Sequence, residues 1–216
     1  MSPLVNPAAP FRLRLPCHRR DRLWPPGPDG LGDDYRLPSF ATVVGVPDVL
    51  DLAVAWNDQG LAVTATARGV GGQRWCHPTR SEDSDGLHLW IATRPTGDSH
   101  RAGRFCRRLA LLPTGGGRLA DQPVAVAAAI PRTSELPAEI PAGSIQVTAR
   151  LLADGWRLDA LVGAAALPGW DPAEISRLGF FAAVVDRRLG SVPAFAPPEY
   201  PWDSDPTTWI ELDLTT

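Results

Sequence analysis

The sequence predicts an all-β protein, a two-layer antiparallel β-sandwich of the immunoglobulin-like or jelly-roll type with one or two short helical turns. Three observations carry that expectation. Apolar residues recur at every second position in several short segments, the period of a strand with one buried face. Twenty glycines and 23 prolines, spread without period over 216 residues, divide the chain into pieces too short for long helices. With 44% apolar and 21% charged side chains, the composition is that of a folded domain that buries a core.

The elements follow in order. Residues 1–38 are rich in proline and arginine, and only Phe11, Leu13 and Leu15 alternate. This reads as an N-terminal edge strand and a loop through Pro25-Pro26-Gly27-Pro28, packed on a single sandwich domain of residues 39–216. Leu50, Leu52, Val54 and Trp56 share one face of a strand, Asn57-Asp58-Gln59-Gly60 makes a turn, and Leu61, Val63, Ala65 and Ala67 continue on the return strand. A second hairpin pairs Ile145, Val147, Ala149 and Leu151 with Trp156, Leu158, Ala160 and Val162 across Ala153-Asp154-Gly155. Further strands are expected at Gly86 to Thr93, Phe105 to Leu112, Gly179 to Asp186 and Thr208 to Leu214. The helical signal is Asp171 as N-cap, Pro172 at the first helical position and Glu174 closing a capping box, enough for one or two turns. Nine or ten strands make a sandwich, with a closed barrel as the alternative.

Charge and composition narrow the functional classes. The net charge is −3, and all 21 basic side chains are arginine, with no basic footprint for nucleic acid. No apolar run approaches the ~20 residues that cross a bilayer, and Pro3, Pro7, Pro10 and Pro16 break up residues 1–16, which lack the apolar block of a secretory signal. The expected location is therefore cytoplasmic. Three cysteines cannot all pair within one chain, so reduced thiols are the expectation. No G-x-S-x-G, H-E-x-x-H, P-loop or dinucleotide fingerprint occurs, and no catalytic residues are assigned. Met1 is the only methionine, which leaves no Met/His pair for haem. The oligomeric state is open.

Several clusters nevertheless carry chemistry. Cys17-His18, Cys76-His77, and His100 with Cys106 supply sulfur and nitrogen ligands of the kind zinc takes, although no C-x-x-C or H-x-x-x-H spacing is present. The run Ser81-Glu82-Asp83-Ser84-Asp85-Gly86, with Asp203 and Asp205, offers oxygen ligands for calcium, against the simpler reading of solvated loop acids. His100, Arg101, Arg104, Arg107 and Arg108 suit a phosphate or carboxylate. Of eight tryptophans, Trp56, Trp90 and Trp156 sit in apolar alternation and read as core. Trp24, Trp75, Trp170 and Trp202 lie in loops, where they form a binding platform or cap the open ends of the sandwich.

Four segments in order, AWNDQGLAVTATA (55–67), SDGLHLWIATR (84–94), DGWRLDALVGAAALPGW (154–170) with LGFFAAVVDRRLG (178–190), and WDSDPTTWIELDL (202–214), resemble the family 9 carbohydrate-binding modules and the wider DOMON-like sandwiches. That resemblance implies a noncatalytic module that clamps a sugar between two tryptophans. By position these match Trp202 and, with an insertion from Cys76 to Ser84, Trp75. It further implies Arg107, His88 and Asp186 as polar contacts and calcium as a structural ion. The chain departs from the pattern at His88, which stands where the family has an acidic sugar ligand, and at Ala183 and Val185, which replace amides. The strict match for the arginine is Cys106.

Three readings result. The first is a binding module for a saccharide or similar small polar ligand through Trp75, Trp202, His88, Arg107 and Asp186. The second is an intracellular interaction or structural sandwich that has lost its sugar site. The third is a metal protein built on Cys17, His18, Cys76, His77, His100 and Cys106.

Overall fold

The computed structural model describes residues 13–70, 72, 74–95, 97–135 and 139–216. Its strands are β1 (Arg14–Arg19), β2 (Leu50–Asn57), β3 (Gly60–Arg68), β4 (Gly86–Ala92), β5 (Cys106–Gly116), β6 (Gln122–Ala128), β7 (Ile145–Leu152), β8 (Gly155–Gly163), β9 (Arg177–Asp186), β10 (Gly190–Pro193) and β11 (Ile210–Thr215). Helical structure among the described residues amounts to α1 (Ala41–Val44) and four 3-10 turns. The expected helix at Asp171 is a single turn, in which Ile175 N–H donates to the Asp171 carbonyl and Glu174 N–H to the Asp171 side chain.

The strands form one sheet in the order β6-β5-β4-β9-β11-β1-β2-β3-β8-β7, with β10 on β9. The end strands β6 and β7 approach each other, so the sheet folds over on itself into two layers. All pairings are antiparallel except those of β1, which runs parallel to both β11 and β2. The N-terminal strand is therefore not an edge strand. It joins the two layers, with Leu15 opposite Leu212 and Arg19 opposite Trp56, and the sheet is mixed rather than purely antiparallel. Phe11 lies outside the described residues.

Period-two alternation explains the core. Leu52, Val54 and Trp56 on β2, Leu61, Val63 and Ala65 on β3, and Trp156, Leu158 and Ala160 on β8 point inward. They meet Leu87, Leu89 and Ile91 on β4, Leu109 and Leu111 on β5, Phe180 and Ala182 on β9, and Ile210 and Leu212 on β11. The β2–β3 turn needs its glycine: Gly60 has φ of 138°, and a Cβ there would stand 2.2 Å from the Val162 carbonyl oxygen.

Both outer faces are also covered. Over β2, β3 and β8, the proline-rich loop lays Leu23 and Leu31 against Ala53, Ala55, Ala62 and Leu161. Beneath it, Arg157 pairs with Asp159 at 3.1 Å, Thr64 donates to Asp159 at 2.6 Å, and Arg157 also donates to the Pro28 carbonyl at 3.0 Å. Over β4 and β9, the segment before β11 brings Phe195, Ala196 and Trp202 onto Trp90 and Phe181.

Candidate ligand-binding groove

The sequence-predicted contacts fall in three places. Trp75 and Asp186 meet in an open groove of about 420 Å³ that is also lined by Val70, Gly72, Arg74, Asp85, Arg187 and Arg188. His88 and Trp202 lie nearby on the outer face of β4 and β9, inside the protein. Arg107 projects from the opposite face of β5, on the side of Leu109 and Leu111.

The groove is built by Asp85, at the threshold of β4. Its carboxylate accepts the Trp75 N–H at 2.7 Å and the Arg187 N–H at 2.8 Å, tying the loop before β4 to the β9–β10 turn. Burial raises the Asp85 pKa above the ordinary carboxylate value, against the lowering effect of those two bonds. Asp186 closes the turn by accepting the Arg188 and Leu189 N–H groups, each at 3.0 Å. The partly buried Trp75 indole is flanked by Arg80, 4.9 Å from the ring centroid, by Arg187 at 5.5 Å and by the His77 ring at 4.5 Å. Arg188 donates to the Gly69 carbonyl and Arg74 to the Gly155 carbonyl, which holds two guanidinium groups at the groove wall. Arg74 carried no motif and went unnoticed in the sequence; its adjacency to Trp75 was the one available cue.

His88 is fully buried. Its Nδ1 lies 3.1 Å from the Arg108 guanidinium, which can only donate, so Nδ1 accepts and Nε2 donates to the Ser84 carbonyl at 2.9 Å. Burial, reinforced by the Arg108 charge, lowers its pKa to about 4 and keeps the ring neutral. Trp202 is 8% exposed. It stacks on Phe181 with ring centroids 5.3 Å apart and meets Trp90 edge-on at 5.3 Å. Ala183, beside His88, and Val185 complete an apolar, covered face. The reason is the Trp202 segment itself, whose aromatic side chains fill the space above β4 and β9.

The cysteine and histidine pairs do not converge. Among the described residues no group of three or more His, Cys, Asp or Glu side chains is placed to hold a metal. Cys17 is buried against the Val54 carbonyl, its thiol pKa pushed up to about 12 by burial. His18 contacts Thr215 and His100 contacts Asp205, at opposite ends of β11. Cys76 and Cys106 are free thiols whose pKa values are also raised by burial, and His77 is exposed beside Trp75. In the acidic run, Asp83 pairs with Arg80 at 2.8 Å while both Asp85 oxygens are engaged by backbone donors. No helix among the described residues is long and apolar enough to cross a membrane.

No family model and no curated protein matches the sequence. Solved structures do match the fold. A family 9 carbohydrate-binding module from Caldicellulosiruptor kristjanssonii in complex with cellotriose superposes with a TM-score of 0.62 at 12% identity, covering 94% of this chain and 93% of that one. A family 9 module from the same organism in complex with glucose gives 0.61 at 13% identity, with 94% and 95% covered. The chain therefore has the β-sandwich fold of the family 9 modules over nearly its whole length.

Proposed function

We propose that this chain is a noncatalytic binding module that takes a saccharide or similar small polar ligand in the groove between Trp75 and Asp186. The observation that supports this reading is the convergence there of an indole with Asp186, Arg74, Arg187 and Arg188 in one open cleft on a family 9 fold. A pyranose has an apolar C–H face that stacks on indole and hydroxyl groups that need paired donors and acceptors. Trp75 supplies the first, and the guanidinium and carboxylate groups supply the second. Trp202 and His88 do not line this groove: Trp202 packs on Phe181 and Trp90, and His88 is enclosed by Arg108, Trp90 and the Ser84 carbonyl.

The test is titration calorimetry with glucose and cellotriose, preceded by a glycan array to widen the choice of sugar. Binding by the wild type, lost in Trp75→Ala and weakened in Asp186→Asn without a large fall in melting temperature, is the expected result. A wild-type protein that binds no saccharide overturns it. That outcome favours the second reading, an interaction or structural sandwich. The filling of the β4–β9 face by Trp90, Phe181 and Trp202, where a concave sheet would otherwise be open, speaks for that alternative.

A further inference from the structure

The groove between Trp75 and Asp186 holds more positive than negative charge. Arg74, Arg187 and Arg188 line its 420 Å³, and Asp85 and Asp186 are the acids among the described lining residues. Arg80 also flanks the indole, but Asp83 pairs with it at 2.8 Å. The three lining arginines therefore face two carboxylates, an excess of one positive charge.

Those two acids are engaged by backbone. Asp85, 4% exposed, gives one oxygen to the Trp75 N–H and the other to the Arg187 N–H, and the Arg187 charge acts on it only through space. Asp186 accepts the Arg188 and Leu189 N–H groups on a single oxygen, Oδ1. The guanidinium groups touch neutral partners instead. Arg74 donates to the Gly155 carbonyl at 2.8 Å, Arg188 donates to the Gly69 carbonyl at 2.6 Å, and the exposed Arg187 lies 5.5 Å from the centroid of the Trp75 ring. The carbonyl bonds hold two of the three in place, which lowers the side-chain entropy lost when a ligand arrives.

We propose that the ligand of this groove is an acidic saccharide, a sugar ring bearing a carboxylate whose charge is answered by Arg74, Arg187 and Arg188. The proposal rests on the reading of the groove as a saccharide site and narrows it to one chemical class. A carboxylate matches the planar guanidinium and balances the excess charge. A neutral hydroxyl accepts the same N–H groups but leaves that charge in place, so charge-assisted hydrogen bonds favour the acid. A uronic acid carries its carboxylate directly on the ring, so the neighbouring Trp75 and Arg187 are met by neighbouring parts of one sugar unit.

Glucose with glucuronate, galactose with galacturonate, and acetate, titrated calorimetrically into the full chain, separate the contributions of ring and charge. At low salt the better uronate binds at least about tenfold more tightly than its neutral counterpart, the effect of one charge-assisted hydrogen bond. Raising the salt from ~20 to ~500 mM reduces that preference to about twofold or less. Acetate, which has the charge without the ring, binds too weakly to measure. In Arg187→Gln, a change at an exposed side chain that keeps the wild-type melting temperature, the preference for the uronate falls to about threefold or less. A neutral sugar that binds as tightly as its uronate overturns the acidic assignment and leaves the saccharide reading standing. A preference undiminished by salt or by Arg187→Gln, or acetate binding that matches the uronate, also overturns it. Binding of no sugar, neutral or acidic, removes the saccharide reading itself, so the two failures are told apart.

Discussion

Replacing Trp202 with alanine distinguishes a packing residue from a sugar platform. The indole is 8% exposed, lies parallel to Phe181 within 10° at 5.3 Å, and meets Trp90 at 88° and 5.3 Å. Truncating a buried tryptophan costs about 3–5 kcal/mol, a sum that already contains the lost aromatic pairing. In a chain of this size each kcal/mol moves the melting temperature by about 2–4 °C, so a fall of roughly 6–20 °C follows. Differential scanning calorimetry measures it, and calorimetric titration at a temperature where the variant is fully folded measures the saccharide affinity, which is expected to stay at the wild-type value. A melting temperature lowered by less than about 3 °C, together with loss of sugar binding, refutes the argument, since an indole that supports little of the core is available to a ligand.

Two further outcomes follow from buried polar groups. The folded state holds His88 at about 4 against an unfolded value near 6.5, so its contribution is complete above pH 6.5 and is lost as the pH falls towards 4. Two and a half pKa units correspond to roughly 3 kcal/mol; urea unfolding between pH 7.5 and 4.5 is expected to show this slope, and an equal slope in His88→Gln would refute the assignment. At the other outer face, Asp159→Ala leaves Arg157 buried without its carboxylate and destabilises by about 3–5 kcal/mol, whereas an Arg157→Met/Asp159→Leu double variant regains most of the loss. Urea midpoints decide this, and a single-variant loss below about 1 kcal/mol would mean that the pair is solvated.

Local pattern revealed strands wherever one face met the core and the other did not. The β2–β3 and β7–β8 hairpins were legible in position, turn and inward face, because leucine and valine alternate there with smaller or polar residues. β4 has all seven residues buried, so its period said nothing about the covering of its second face, and Trp90 read as core without any indication that it points outward. β6, QPVAVAA, went unrecognised because its alanines are too small to mark a face, and β10 is only four residues long. The placement of β1 is a matter of long-range pairing, which no local spacing encodes. The candidate site was legible to the same degree. Asp186 and Trp75 stood out as a strand-end acid and a loop aromatic, and they do share a groove. Trp202 and Trp75 both read as loop indoles, because the packing of the chain, not the local sequence, determines whether such an indole faces solvent.

The parallel strand at the centre of the sheet has a kinetic consequence. His18 pairs with Thr215, so a ladder begun near the start of the chain is completed almost at its end, and the layers on either side cannot be locked together until then. Such distant closure raises the mean sequence separation of contacts and slows folding. During synthesis β1 emerges first but must wait for β11, leaving the apolar edges of both half-sheets dependent on a late arrival.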